Sequence, residues 1–232
     1  DHRDLHSFPT RRSSDLSSLY GKSLLITGGP TPVPLDNIRS ITTYFTGTLS
    51  IKIAREAWLR GASVELILGK GSRSAPDFIN TKIAATFEDY ASILKKSLSQ
   101  QSFDWGIFTA AVADFQPVKV YKGKLSSRIK QLDLKLMPTP KMVDEVRKKY
   151  PQLKTITFKY EENVSHEELM KIANKPFSKK GGPQMVVANR AEEFKPDGTQ
   201  VAWLIQPENE PEKHVGKEDI ANAILKRIEL TS

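Results

Sequence analysis

The sequence predicts a Rossmann-like α/β fold, a three-layer sandwich with a mainly parallel sheet, and three observations support this prediction. From Lys22 onward, short apolar runs alternate with helical segments of about ten to fifteen residues, as in a parallel sheet covered by helices. Glycines end the first two runs, at Gly28 and Gly69. The 232 residues also suffice for one large domain with its own core.

The individual elements follow from the spacing of apolar residues. Strands are expected at residues 23–27, 63–68, 105–111, 132–136, 154–160, 184–188 and 200–205. Helices are expected at residues 47–60, 87–98, 139–150, 165–174 and 217–230, where apolar residues recur with the helical period. Residues 118–127 have no period and contain several lysines, which predicts a mobile basic flap.

Residues 1–16 do not fit this pattern. They show neither a helical nor a strand period and no apolar run, and they resemble a translated sequencing adapter more than a piece of protein. Their three arginines and three aspartates cancel in charge. We therefore treat 1–16 as a non-native segment, as one would an expression tag, and expect residues 17–232 to form a single domain.

Composition narrows the possible functions. The absence of cysteine excludes disulfides, thiolate metal sites and cysteine nucleophiles, and the four histidines are isolated, so no metal site is predicted. A net charge of +8 indicates an anionic partner. The lysines are spread along the chain, which favours a polyphosphate over a nucleic acid, and aromatic residues are not interleaved with them. No run approaches the length of about 20 apolar residues that a transmembrane helix needs, and no targeting signal is visible, so we expect a cytoplasmic protein.

Two segments are candidates for a binding site. The apolar run that ends in Ala110-Ala111-Val112-Ala113-Asp114 predicts a buried strand whose end opens into a site, with Lys124 delivered a short loop later. An aspartate that caps a turn and a solvated lysine would explain the same residues. The segment Thr27-Gly28-Gly29-Pro30-Thr31 would let backbone amides approach an anion, although a tight structural turn is the alternative. It matches neither the dinucleotide fingerprint nor a Walker loop.

Taken together, these segments resemble phosphopantothenate–cysteine ligase, from Lys22 to about Glu229. The resemblance rests on the order and spacing of Ile26-Thr27-Gly28-Gly29-Pro30-Thr31, Leu35-Asp36, Ile38-Arg39, Ile41-Thr42, Thr46-Gly47, Ala110-Ala111-Val112-Ala113-Asp114-Phe115, Lys124-Leu125-Ser126-Ser127, Thr139-Pro140-Lys141, Thr157-Phe158-Lys159, Val187-Ala188-Asn189 and Gly216-Lys217-Glu218-Asp219-Ile220-Ala221. It implies that residues 17–232 form a nucleotide-binding ligase domain. The family joins cysteine to 4'-phosphopantothenate in coenzyme A biosynthesis through an acyl-nucleotide. It uses CTP or ATP with Mg²⁺, and the choice of nucleotide stays open.

The resemblance also implies roles for individual residues. Lys124 matches a flap lysine that contacts the nucleotide phosphates and covers the acyl-nucleotide, and Asp114 matches an aspartate that recognises the nucleotide. Other positions that match the nucleotide cleft are Gly28, Gly29, Thr31, Ala110, Ala111, Phe158, Lys175, Lys179 and Lys180. Arg39 and Asn189 match positions on the substrate side. A solvated helix end would explain the last three lysines equally well.

The sequence departs from the family pattern around the first helix. Thr43 stands where the family has an asparagine whose amide holds the acyl carbonyl, and Thr48 stands where it has a lysine. Arg190 replaces an aspartate that usually follows the asparagine matched by Asn189. A diverged paralogue that binds nucleotide, or uses another acyl substrate, is therefore the alternative. The resemblance further implies a homodimer, for which Ile38, Ile41, Tyr44 and Phe45 are suitably apolar.

Overall fold

The computed structural model describes residues 18–231, and a central sheet organises this part of the chain. The segment at 1–16 lies outside the described residues. The eight strands of the sheet are β1 (Ser23–Gly28), β2 (Ser63–Gly69), β3 (Asn80–Ala84), β4 (Trp105–Phe108), β5 (Lys154–Glu161), β6 (Met185–Arg190), β7 (Val201–Ile205) and β8 (Glu212–Val215).

The strand order is that of a doubly wound fold. Across the sheet the strands lie in the order β8-β7-β6-β5-β4-β1-β2-β3. Strands β1 to β6 pair in parallel, whereas β7 and β8 add two antiparallel strands at one edge. The part 3-2-1-4-5-6 is the common Rossmann order, and its direction of winding reverses between β1 and β4. The mainly parallel sheet is thus confirmed.

Five helices cover the two faces of the sheet in the described chain. They are α1 (Thr48–Leu59), α2 (Phe87–Gln100), α3 (Met142–Lys149), α4 (His166–Asn174) and α5 (Lys217–Leu230), with short 3₁₀ turns at Lys175–Ser178 and Ala191–Glu193. One face packs on α1 and α5 through fully buried residues such as Ile53 and Ile224. The other packs on α2 and α3, through Tyr90 and Met142, and on α4 through Leu169. The three layers are therefore confirmed.

The structure corrects some of the predicted elements. The expected strand at 132–136 is wrong: residues 131–135 are irregular, and Leu136–Pro138 instead forms a short hairpin with Phe115–Pro117. Strands β3 and β8 were not predicted because each is short and polar and lies at an edge of the sheet. Residues 118–127 contain neither helix nor strand, as expected for the flap.

The end of β4 differs from the prediction in a way that creates space. The strand stops at Phe108 instead of continuing to Ala111, and the hydroxyl of the next residue, Thr109, donates to the carbonyl of Thr27 at 2.8 Å. Beyond this point Ala111–Val112 pairs in parallel with Pro30–Thr31 as a separate ladder. Val33–Pro34 pairs with Ser40–Ile41 nearby. The chain thus leaves the sheet at the switch point between β1 and β4.

Candidate active site

A cleft of about 590 Å³ lies at the carboxyl ends of β1, β4, β5 and β6. Ligands bind at this switch point in open α/β sheets. The walls come from residues 43–50, the loop at 109–114, the ends of β5 and β6, and the first residue of α5. The lining residues are Gly29, Thr43, Tyr44, Phe45, Thr46, Gly47, Thr48, Leu49, Ser50, Thr109, Ala110, Ala111, Val112, Asp114, Phe158, Lys159, Tyr160, Glu161, Asn189, Phe194, Gln200 and Lys217.

We call the backbone beneath the cleft, at the ends of β1 and β2, its floor, and this backbone is packed through glycines. A Cβ added to Gly28 would lie 1.8 Å from the Ser50 hydroxyl oxygen, so glycine lets α1 approach the end of β1. At Gly69, which ends β2, an added Cβ would lie 1.5 Å from the carbonyl oxygen of Pro30. Gly29 has a φ of +74°, the left-handed region that favours glycine, and it lines the cleft itself. These residues hold the backbone of the floor in one arrangement.

Helix α1 begins at the cleft. Gly47 precedes it with a φ of +70°, and the Ser50 hydroxyl donates to the Gly47 carbonyl at 2.7 Å. The hydroxyls of Thr46 and Thr48 are 2.8 Å apart. The first amides of a helix have no partner within the helix, and the helix dipole is positive there. This end of the cleft therefore favours an anionic group.

The loop after β4 is held against the loop after β1. The Ala111 amide donates to the Gly29 carbonyl at 2.9 Å, and the Ala113 amide donates to the Thr31 hydroxyl at 3.0 Å. Thr31 is itself buried, so it supports the wall from behind. The carboxylate of Asp114 at the rim bonds to the Lys141 ammonium at 2.5 Å. Small side chains and one ion-paired carboxylate thus form this wall.

The opposite wall is aromatic. The rings of Phe45 and Tyr160 meet edge to face with centroids 5.7 Å apart, and Phe194 lies 6.4 Å beyond Tyr160. Burial and the Glu162 carboxylate, which accepts from the Tyr160 hydroxyl, raise the pKa of Tyr160 to about 12. The phenol is therefore neutral at physiological pH. Phe158 comes two residues earlier on the same strand, so all four rings face the cleft.

Two exposed segments stand beside the cleft: the arm, residues 35–46, and the flap, residues 118–127. They are joined mainly by the buried carboxylate of Asp36. Its Oδ1 accepts from the amides of Ile38 and Arg39 at 2.8 and 2.7 Å, and its Oδ2 accepts from the amide of Leu125 in the flap at 3.0 Å. These backbone hydrogen bonds, led by that from Leu125, hold the pKa of Asp36 below its usual value.

Further bonds complete the junction between arm and flap. The Arg39 guanidinium donates to the Leu125 carbonyl at 3.2 Å. The Tyr121 amide donates to the Leu35 carbonyl at 2.9 Å, and the Asn37 amide donates to the Gly123 carbonyl at 3.1 Å. The flap, expected to be mobile, is therefore tied to the arm along three of its residues, and Lys124 lies between two of the tied positions.

Residues 19–231 match the family model described as DNA/pantothenate metabolism flavoprotein C-terminal domain. The chain belongs to this family. It is 33% identical over 216 residues to the coenzyme A biosynthesis bifunctional protein CoaBC of Thermococcus kodakarensis, covering 91% of this chain and 52% of that protein. It is 30% identical over 210 residues to CoaBC of Methanocaldococcus jannaschii, covering 90% and 50%. The chain therefore spans about half the length of these curated relatives.

Several solved structures have the same fold. The DNA/pantothenate metabolism flavoprotein from Streptococcus pneumoniae superimposes with a TM-score of 0.79 at 25% identity, covering 91% of this chain and all of that one. The C-terminal domain of CoaBC gives a TM-score of 0.75 at 24% identity, with coverages of 93% and 97%. A Cab2 mutant in complex with phosphopantothenate-cysteine gives 0.71 at 18% identity, with coverages of 89% and 86%.

Within this family fold, the cleft brings together several of the residues predicted from sequence. They are Gly29, Thr43, Ala110, Ala111, Asp114, Phe158 and Asn189. Two others support the cleft without lining it: Gly28 packs beneath α1, and Thr31 binds the loop after β4. Arg39 and Lys124 lie outside the lining, on the arm and the exposed flap.

The three predicted lysines at 175–180 lie elsewhere. Lys179 and Lys180 line a separate groove of about 510 Å³ against α3, where Lys179 is 3.7 Å from Asp144. Lys175 begins the 3₁₀ turn that follows α4. The floor of this groove is the largely buried Arg147, whose Nε donates to the Gly181 carbonyl at 2.7 Å. The structure does not bring these lysines into the cleft.

Sequence reasoning missed other residues of the site. Lys141 belongs to the matching segment Thr139-Pro140-Lys141, but no role was predicted for it. In the structure its ammonium group holds Asp114 at the rim. Tyr160 and Phe194 form the aromatic wall, and Lys217 lines the cleft from α5. The alternation along β5 places Tyr160 on the same face as Phe158, so that residue could have been found. Phe194 and Lys217 come from distant segments, and only the fold brings them here.

Two of the three departures from the family pattern, Thr43 and Arg190, have different structural consequences. The Thr43 hydroxyl oxygen is buried and has no hydrogen-bond partner among the described residues. Arg190 instead points away from the cleft: it donates to the Val164 carbonyl at 2.7 Å, and its Nε lies 3.3 Å from Glu193. Glu193 also accepts from the indole of Trp203 at 2.8 Å. Arg190 therefore fixes the turn that presents Phe194.

The residues present suit a metal ion carried by a substrate. No group of three or more histidine, aspartate or glutamate side chains between residues 18 and 231 could enclose an ion. Mg²⁺ is commonly held by one or two carboxylates together with substrate phosphates. Asp114 and Glu161 are the carboxylates that line the cleft.

Between residues 18 and 231, no helix is long and apolar enough to cross a bilayer.

Proposed function

We propose that this chain is a phosphopantothenate–cysteine ligase that forms 4'-phosphopantothenoylcysteine in coenzyme A biosynthesis. The observation that supports the proposal best is the cleft at the β1/β4 switch point, which gathers seven of the sequence-predicted site residues in a chain of this family. Both curated relatives are proteins of coenzyme A biosynthesis. The Cab2 structure contains phosphopantothenate-cysteine, the product expected here.

The chemistry begins with an unreactive carboxylate. The acid attacks the α-phosphorus of CTP or ATP, and pyrophosphate leaves, so the carboxyl oxygen becomes part of a mixed anhydride. The amine of cysteine then attacks the acyl carbon, the nucleoside monophosphate leaves, and the amine loses a proton to the solvent. Both steps concentrate negative charge at phosphorus or oxygen, which fixed cations and amides stabilise.

The residues of the cleft suit these tasks. The start of α1 and its hydroxyls favour a phosphate, whereas Ala110 and Ala111 leave room for the base or ribose. Lys124 would cover the acyl-nucleotide from the flap. Thr43 offers its unpartnered hydroxyl where the family uses an amide, a shorter arm with one donor. Mg²⁺ bound to the nucleotide phosphates would neutralise their charge, with Asp114 and Glu161 as the available protein carboxylates.

A homodimer would explain the exposed apolar residues of the arm and flap. Ile38 is 67% exposed, Tyr44 is fully exposed, and Val118 and Val120 are more than half exposed. Because contiguous apolar surface is characteristic of protein interfaces, these residues suit contact with a second copy. We place the dimer in the cytoplasm, with no nucleic acid or membrane as partner.

Mass spectrometry of the products tests the proposal. Purified protein is incubated with phosphopantothenate, cysteine and either CTP or ATP, with Mg²⁺ or with a chelator. We expect phosphopantothenoylcysteine, pyrophosphate and the nucleoside monophosphate in equal amounts, and the more active nucleotide identifies the natural one. Tight nucleotide binding without any amide product would favour the diverged paralogue. The observation that favours this alternative is Thr43, which stands where the family has an asparagine.

A further inference from the structure

The cleft contains a cation that has no assigned role. Two lysines line it, Lys159 and Lys217. Lys159 lies two residues from Glu161 on the same strand, so a carboxylate shares its side of β5. Lys217 is half-buried, and its ammonium group forms no ion pair with a carboxylate between residues 18 and 231. The neighbouring Glu218 interacts with its charge but is ion-paired to Lys52. A partly desolvated cation without an ion pair of its own favours an anionic ligand.

The backbone around Lys217 is fixed. It is the first residue of α5, and the preceding Gly216 donates its amide to the carbonyl of Gln200, a residue that also lines the cleft, at 2.8 Å. Asp219 accepts from the Val215 amide at 3.0 Å and so closes the first turn of the helix. The lysine is therefore presented from a rigid helix end.

Helices α1 and α5 lie side by side with their first turns together. At one end, Lys52 of α1 forms an ion pair with Glu218 of α5. At the other end, Arg60 binds Glu229 at 2.8 Å. Thr48 lies one helical turn before Lys52, on the same face of α1, so it faces the start of α5. Thr48 and Lys217 thus both line the cleft, from the starts of two neighbouring helices.

We propose that Lys217 binds a phosphate group of a substrate. This inference rests on the proposed function for the identity of the substrates. The ligand chemistry is a phosphate, which could belong to the nucleotide or to phosphopantothenate. The start of α1 and the hydroxyls of Thr46 and Thr48 provide its hydrogen-bond donors on the other side.

Calorimetric titration of Lys217→Met tests the binding. CTP and phosphopantothenate are titrated separately into the wild type, into Lys217→Met, and into Lys226→Met, which removes an exposed cation from the same helix. We expect Lys217→Met to weaken at least one ligand by about tenfold or more, and Lys226→Met to change neither. The ligand whose affinity falls carries the phosphate bound at this position. If the affinities for both ligands fall, Lys217 lies between two phosphates. Equal affinities in the wild type and Lys217→Met would overturn the proposal, as would equal losses in both variants.

A cation added at position 48 tests whether residues 48 and 217 face the same phosphate. Thr48→Lys should recover most of the lost affinity in the Lys217→Met background and add little to the wild type. If Thr48→Lys adds the same affinity to both backgrounds, the two positions do not act on one phosphate. Measuring both binding and ligation separates the proposed ligase activity from the proposed role of Lys217. If the wild type makes no amide but Lys217→Met still lowers the ligand affinity, only the ligase activity is refuted. Ligation and binding unaffected by Lys217→Met refute only the inference.

Discussion

The floor of the cleft and the arm–flap junction are built on different principles. The floor consists of buried strand ends and glycines in contact with backbone, as at Gly69 and Pro30. The junction consists of exposed segments held by hydrogen bonds to one carboxylate, Asp36, and it leaves Ile38 and Tyr44 in solvent. Packing therefore fixes the first region, whereas the second has a defined shape without a core. Damage to the floor should reduce stability, and damage to the junction should reduce function.

The largest effect on the fold is expected from Gly69→Ala. The new methyl group would meet the Pro30 carbonyl, and backbone cannot move aside as a flexible side chain can. We expect the free energy of unfolding, measured by urea denaturation, to fall by about 1–3 kcal/mol, the range for forced overpacking. The matched change in the flap, Gly123→Ala, meets no atom within 4 Å and adds only the strain of a φ of +74°, so it should cost less. Equal losses would remove the distinction between the regions.

The largest effect on turnover is expected from Lys124→Ala. The side chain is exposed, so the melting temperature should not change. If the lysine stabilises charge in the acyl-nucleotide, turnover should fall by roughly 10²-fold, the scale for loss of one charge-stabilising donor. Lys122→Ala in the same flap is the control and should retain activity. Turnover that survives Lys124→Ala would exclude the flap lysine from the mechanism.

Asp36→Asn should separate the flap from the arm. The amide offers one acceptor oxygen in place of two, so the bond to Leu125 or those to the arm are weakened. We expect turnover to fall about tenfold to a hundredfold through misplacement of Lys124, and protease cleavage within the flap to become faster. Unchanged cleavage together with normal turnover would show that the junction does not depend on this carboxylate.

The same junction predicts a pH dependence. Because the pKa of Asp36 is lowered in the folded protein, its contribution is complete above the ordinary aspartate pKa of about 3.9 and is lost as the pH falls through the lower folded value. Protease resistance of the flap should therefore be constant from neutral pH to the ordinary pKa and decrease only below it. Pepsin provides the measurement in acid, and a neutral protease such as trypsin covers the range up to neutral pH.

The smallest effect is expected from Thr43→Asn, and it is a gain. The asparagine amide reaches further than the threonine hydroxyl, which has no partner in the described structure. We expect a several-fold rise in turnover with phosphopantothenate, below the full effect of about 10²-fold for one such donor. A decrease would indicate that Thr43 is suited to a different acyl substrate.

The same contrast explains what could be predicted from sequence. The alternation of strands and helices predicted the fold and the switch point. The predicted location of Gly29, Ala111 and Asp114 at the site followed from these. Lys179 and Lys180 could not be placed, because a turn after α4 decides which groove they line. The strand expected at 132–136 failed because alternation alone provides no pairing partner. Lys217 reaches the cleft only because α1 and α5 run together, a contact between distant segments.

For the proposed ligase, Asp36 has a kinetic consequence for the release of product. Its two oxygens connect stretches of chain 89 positions apart, so the flap cannot swing away alone without breaking this bond and three others. Opening should therefore displace both segments in concert, and the apolar surface of the arm would move with them. In a dimer, departure of the amide product from one site would then change the contact between the subunits.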